Sequence, residues 1–247
     1  TDRPEYSHLY AGEKTDLLTF NALNPLSHET HGLVRDLIGS VCELFESEYV
    51  HIGCDEVDLG NWCDAMGGLD KGEVWADYVN MVIGMVRERG KTPMLWADHF
   101  VGDPAIAARL RKDAIPVHWH YDEHPVTEGL YKLRESGFDR MIAAPAIACY
   151  QHRFLTPRAA LTNAAEMARA ASDAGAFGYI NTIWCPYRYV QGAMHYGIAF
   201  GAVAAAQGGE VDIDQFNSEF ARRVFGIEAD EELAEVLRIW PSLAIDY

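Results

Sequence analysis

The sequence predicts an α/β fold built on a parallel sheet, and three observations carry that prediction. From about residue 29 onward, amphipathic helical patterns alternate with short apolar runs of strand length. Helix start and stop residues fall between the segments, so each run is separately bounded. No low-complexity stretch or linker interrupts the alternation across the 247 residues. Strand, helix and strand repeated in this way imply parallel strands joined by right-handed crossovers.

The elements follow in order. Residues 1–28 read as a loop-rich entry segment with one apolar patch, Leu17–Phe20. Leu33, Val34, Leu37, Ile38, Val41, Leu44 and Phe45 keep helical spacing and lead into a strand at Tyr49–Gly53. The turn-rich Asp58-Leu59-Gly60-Asn61 ends that strand region. Val74, Trp75, Tyr78, Val79, Val82, Ile83 and Val86 form the next helix, closed by Gly90 before a strand at Thr92–Trp96. Asp103-Pro104 reads as an N-cap with proline at N1, opening a short helix before the strand Ile115–Trp119. A helix over Val126–Ser136 precedes a strand over Arg140–Ala148. Thr156-Pro157 starts an Ala-rich helix that Gly175 closes, and Phe177–Trp184 is the fifth strand. Helices around Gly192–Ala206, Asp214–Val224 and Asp230–Ile239 finish the chain.

Composition narrows the function classes. With 49% hydrophobic residues, the chain can bury one barrel-sized core or two small ones. A formal net charge of −17 argues against nucleic acid and anionic membrane as partners. The apolar runs are too short to span a bilayer, and no signal peptide opens the sequence. Five cysteines without CxxC spacing suggest free thiols, which favours a cytoplasmic setting unless a signal lies further upstream. Nothing in the composition calls for a cofactor, and a homo-oligomer is compatible with it.

The chemistry concentrates at strand ends. Val50-His51-Ile52-Gly53-Cys54-Asp55-Glu56-Val57 is an apolar strand running into two adjacent carboxylates. If the strand continued, His51, Gly53 and Asp55 would share one face, and Glu56 would point away from Asp55 unless the chain turned. Two carboxyls held together cannot both ionise easily, and one is pushed up to act as a proton donor. That is the equipment of glycosidic bond cleavage. Other strands end in Trp96-Ala97-Asp98-His99, His118-Trp119-His120-Tyr121, Cys149-Tyr150-Gln151-His152 and Trp184-Cys185-Pro186-Tyr187-Arg188. Indoles offer faces to pyranose C–H groups, while polar neighbours fix hydroxyls.

His-x-Gly-x-Asp-Glu-Val, preceded by a helix ending in Glu43-Leu44-Phe45 and by Asn24-Pro25, resembles the signature of glycoside hydrolase family 20, the β-N-acetylhexosaminidases. The resemblance implies a (β/α)8 TIM barrel in which the five strands are barrel strands four to eight. The expectation is a single catalytic domain, incomplete at its N-terminal side because three earlier strand–helix units do not fit in 48 residues. It implies a substrate ending in a β-linked N-acetylhexosamine, removed by substrate-assisted retaining catalysis. Asp55 would hold the acetamido N–H and Glu56 would serve as acid and then base. Trp96, Trp119 and Trp184 would line the acetamido pocket, Tyr150 would bond its carbonyl, and His51 would support the pair or be structural.

The sequence departs from that family in three places. Cys54 replaces a second glycine, read as a small-for-small change. His152 and Pro186 stand where relatives carry acidic groups that grip outer hydroxyls; Arg188, His120 or Asp98 could compensate. Two alternatives stay open: a carbohydrate-binding pseudoenzyme of the same fold, and a metal-dependent hydrolase using His118 and His120 with Asp122, Glu123, His124, His99 or His152 nearby.

Overall fold

The computed structural model describes residues 4–11, 22–148, 156–184, 191–228 and 231–243, which fall into two compact units. The first comprises Thr1–Val117 with Glu135–Asp139, the second His118–Arg134 with Arg140–Tyr247.

In the first unit, a 3-10 turn at Pro4–Leu9 precedes helix α1 (His28–Leu44). Strand β1 (Tyr49–His51), helices α2 (Gly60–Ala65) and α3 (Lys71–Arg87), strand β2 (Thr92–Trp96), helix α4 (Pro104–Arg109) and the start of β3 (Ile115–Trp119) follow. β1 pairs parallel with β2 through Val50↔Pro93 and His51↔Met94, and β2 pairs parallel with β3 through Leu95↔Pro116 and Trp96↔Val117. Asp103 caps α4 as expected, accepting the Ala105 and Ile106 amides, and the structure adds Ser27 at α1 and Asp70, which accepts the Glu73 amide, at α3. α3 turns Trp75, Val79, Val82, Ile83 and Val86 inward at helical spacing.

Two expectations change here. The α1 stripe is not wholly inward: Thr30, Gly39 and Cys42 are buried, while Leu37, Val41, Leu44 and Phe45 are exposed. The turn-rich stretch after Asp58 becomes α2, six residues too short to show a period, with Trp62 and Cys63 buried.

The second unit holds α5 (Glu128–Glu135, its last residue in the first unit), β4 (Ile142–Ala144), β5 (Ala146–Ala148), α6 (Arg158–Asp173), β6 (Gly178–Tyr179), β7 (Thr182–Ile183), α7 (Gln191–Ala206), α8 (Ile213–Phe220) and α9 (Glu231–Ile239). A π-turn at Ala221–Phe225 extends α8. β4 pairs parallel with β6, and β5 with β7. The strands expected over Arg140–Ala148 and Phe177–Trp184 are therefore each two short strands. Pro145 interrupts the first, and its carbonyl accepts both the amide (3.0 Å) and the hydroxyl (2.8 Å) of Thr182. α6 opens with Pro157 in the N-cap place, one residue before the N1 position that proline usually takes. The core joins Ile147, Leu161, Ala164, Ala168, Tyr196, Phe200, Phe216 and Phe220. Among the described residues, no helix is long and apolar enough to cross a membrane.

Candidate active site

The acidic pair sits on a turn, not on a strand. β1 ends at His51, and the chain then passes through Gly53 (φ 72°), Cys54 (φ 76°) and Glu56 (φ 50°). Strand alternation therefore stops before Asp55, contrary to the simple face assignment. Three left-handed residues in four turn the chain sharply, a conformation that L side chains adopt at a cost. Cys54 is thus more than a small-for-small exchange: its position asks for glycine on backbone grounds. The loop remains tied to the sheet, since the Trp96 amide donates to the Gly53 carbonyl at 3.1 Å.

Side chains from the end of β2 hold this loop by its main chain. The Glu56 amide donates to Asp98 Oδ2 at 3.0 Å, and the Val57 amide donates to His99 Nε2 at 2.9 Å. A ring nitrogen that accepts an amide proton is unprotonated, so the 3.6 Å approach of His99 Nε2 to Asp98 Oδ2 is not an ion pair. The Trp75 ring lies against His99 at 5.0 Å.

Asp55 is half-buried and its pKa is raised, first by burial and then by the charge of Asp98, with its own backbone hydrogen bond opposing. The carboxylate found to raise it is thus Asp98, where the sequence pointed to Glu56. Glu56 itself is exposed. Burial and the charges of Asp55 and Asp98 push the Cys54 thiol up to about 12, and its S–H faces the Ile52 carbonyl at 3.4 Å. It is protonated at working pH and inert as a nucleophile.

His51 lies against Trp96, ring centroids 4.5 Å apart. Its Nδ1 accepts the Gly53 amide at 3.1 Å, which leaves the proton on Nε2, buried without a hydrogen-bond partner. Burial lowers its pKa to about 4, so it is neutral.

In the second unit, Trp119 stacks on Tyr121 at 5.0 Å and 27°, and Tyr121 meets Trp184 at 6.2 Å. His120 is partly buried, with Nδ1 3.5 Å from the exposed Asp122. The loop carrying these residues is fixed by Asn163, fully buried on α6. Its Nδ2 donates to the carbonyls of His120 (2.9 Å) and Asp122 (2.6 Å), and its Oδ1 accepts the Ala146 amide. His118 is placed differently: it is buried, donates through Nε2 to the Val126 carbonyl at 3.0 Å, and packs so closely on Gly129 that a Cβ there would lie 2.4 Å from its ring. It is a structural histidine. No group of three or more His, Cys, Asp or Glu residues placed to hold a metal exists among the described residues. Tyr150, His152, Pro186 and Arg188 lie outside the described residues.

Three residues tie or pack these loops without having been singled out for a sugar site from the sequence: His99, Tyr121 and Asn163. The first two stood in the strand-end strings. Asn163 had a signal too, as the one amide side chain on the small-residue face of α6, beside Ala160, Ala164, Met167 and Ala171.

The profile of the glycosyl hydrolase family 20 catalytic domain matches residues 6–181. Human β-hexosaminidase subunit beta is 24% identical over 165 residues, 58% of this chain and 29% of that protein. Mouse β-hexosaminidase subunit alpha is 25% identical over 138 residues, 51% and 25% of the two chains. Thus the chain spans less than a third of the length of these relatives. Among solved structures, a β-N-acetylhexosaminidase from Bacteroides fragilis aligns with a TM-score of 0.63 at 12% identity, over 90% of this chain and 49% of its own. An inactive mutant of the family 20 exo β-N-acetylglucosaminidase of Vibrio harveyi aligns with a TM-score of 0.58 at 18% identity, over 96% and 40%.

Proposed function

Because this chain belongs to glycosyl hydrolase family 20 through its catalytic domain, we propose that it serves an enzyme removing terminal β-linked N-acetylhexosamine from glycans or glycosides. Its parallel strand–helix units are those of the family's (β/α)8 barrel. The observation that carries the reading is the Asp55–Glu56 pair on a tight turn at the C-terminal end of β1, where barrel enzymes place their chemistry.

Glu56 donates its proton to the glycosidic oxygen while the sugar's own acetamido oxygen attacks the anomeric carbon. The C–O bond breaks, and an oxazolinium ion forms. The Glu56 carboxylate then takes a proton from water, whose oxygen attacks the same carbon and reopens the ring with retained configuration. Asp55 accepts the acetamido N–H. Its environment is short of positive charge, since burial and Asp98 both raise its pKa. A cation developing beside it therefore interacts more favourably than the neutral substrate does, which is stabilisation specific to the transition state. Trp96, Trp119, Tyr121 and Trp184 supply aromatic surface for the sugar's C–H faces. Tyr150 bonds the acetamido carbonyl, and Arg188, His120 and Asp98 remain the candidates for outer hydroxyls.

The test is hydrolysis of a chromogenic β-N-acetylglucosaminide by the protein carrying this chain, with and without chelator. Release with retained configuration, unchanged by chelator, is expected. No release sinks the hydrolase reading, and release abolished by chelator replaces it with a metal-dependent one.

A further inference from the structure

We propose that Asp98 and His99 are positioning residues that clamp the acid-bearing loop by its backbone and so aim the Glu56 carboxyl; the proposal rests on the acid role given to Glu56 above. Glu56 occupies the left-handed region at φ 50°, and Cys54 does so at 76°. A non-glycine residue there is strained by its own Cβ, so a loop carrying two of them persists only if its surroundings hold it. The two amides that follow the bend are the held points: Glu56 N–H on Asp98 Oδ2 and Val57 N–H on His99 Nε2, both reaching across 42 residues of sequence.

The clamp is itself anchored. The Ala97 amide bonds the Val117 carbonyl at 3.0 Å, and the Phe100 and Val101 amides both return to the Ala97 carbonyl, closing a turn around Asp98 and His99. Trp75, buried on α3, backs the His99 ring at 5.0 Å and touches Phe100 at 6.0 Å. His99 can hold the Val57 amide only while its Nε2 is unprotonated, which separates its task from that of a generic packing residue. Asp98 has a second effect, since its charge also acts on Asp55. Removing His99's acceptor should therefore disturb acid catalysis selectively, whereas removing Asp98 should disturb both carboxyls. A misdirected acid is felt by substrates with poor leaving groups, and misplacement by about 1 Å is enough to cost about 100-fold.

The experiment compares His99→Phe, which keeps a ring against Trp75 but accepts no hydrogen bond, with His99→Gln, which keeps an acceptor. For His99→Phe, kcat/KM on an alkyl N-acetylglucosaminide should fall about tenfold or more, against less than about threefold on the nitrophenyl glycoside. His99→Gln should recover most of that difference. Equal losses on both substrates would indicate a merely structural role and overturn the proposal. Amide hydrogen exchange gives a readout independent of turnover. Val57 should exchange about tenfold faster or more in His99→Phe while Leu95 in β2 keeps its rate. Unchanged exchange at Val57 would overturn the clamp. If the wild-type protein cleaves neither glycoside, the hydrolase reading fails by itself, and the exchange rates alone decide whether the loop is held as proposed.

Discussion

Cys54 at φ 76° is a residue whose backbone and side chain ask for different things. Glycine would relieve about 1–2 kcal/mol of left-handed strain but forfeit a buried thiol and add unfolded-state entropy. Cys54→Gly should therefore change stability by less than about 1 kcal/mol, whereas Cys54→Val should cost about 2 kcal/mol or more, both measurable by urea denaturation. At the neighbouring carboxyls the expected outcomes are kinetic. Glu56→Gln should reduce kcat/KM about 100-fold or more on alkyl glycosides and less on nitrophenyl glycosides, which leave without a proton. Asp55→Asn should reduce both together, because oxazolinium formation is common to them; steady-state kinetics on the paired substrates checks this. His51 yields a pH prediction. Its pKa in the folded protein, about 4, lies below the ordinary 6.5, so the unfolded chain binds the extra proton first. Stability from this group is complete above pH 6.5 and is lost as pH falls toward 4, by no more than about 3 kcal/mol. Asp55, raised instead, acts with the opposite sign: its contribution is present at low pH and fades as pH climbs through its elevated pKa. Because Asp55 is common to both proteins, the difference in unfolding free energy between wild type and His51→Gln at pH 7, 5.5 and 4.5 isolates the histidine; a constant difference would contradict the burial account.

At the scale of elements, five strand regions and most helices were legible, because period and caps are local signals. Gly90, Asp103 and Gly175 mark their helix boundaries directly. What escaped was set by contacts far along the chain. The break at Pro145 depends on Thr182, 37 residues away, whose amide and hydroxyl share one carbonyl. The outward turn of Leu37, Val41, Leu44 and Phe45 on α1 reflects which side faces α3, and the apolar pattern alone cannot say so. In the candidate site, the Asp55–Glu56 pair and the strand-end tryptophans were readable as strings, but the loop's left-handed path and its ties to Asp98 and His99 are products of the fold. Asn163 is the element-scale test. Its three hydrogen bonds join α6 to the loop after β3 and to β5, and all of them end on main-chain groups. Asn163→Ala should cost about 2–4 kcal/mol in urea denaturation, since a buried amide and two carbonyls lose their partner. Asn163→Asp should do no better, for it sets a carboxylate against two carbonyl oxygens.

For the whole molecule, charge and exposed apolar surface pull in opposite directions. A net charge of −17 keeps copies apart at low ionic strength. The α1 stripe, with Leu44 75% and Phe45 56% exposed, favours association once that repulsion is screened. Residues 1–247 expressed alone should therefore be more dispersed in low salt than at about 0.5 M, where the Debye length falls below about 5 Å. Leu44→Glu combined with Phe45→Glu should abolish the salt-induced association. Sedimentation velocity at two salt concentrations checks this, and association that persists in the double variant would move the responsible surface elsewhere.

The ties to the acidic loop end on amide groups, which every residue but proline possesses. Exchanging the Glu56 carboxyl for a carboxamide therefore leaves both ties in place, along with Asp55 and the tryptophans. On the acid role proposed for Glu56, such a protein should keep its hold on the sugar while cleaving alkyl glycosides far more slowly. It should then act as a lectin by subtraction, holding an intact alkyl N-acetylhexosaminide long enough for calorimetry or for a structure of the uncleaved complex. Glu56→Pro, which deletes the amide itself, would forfeit that use.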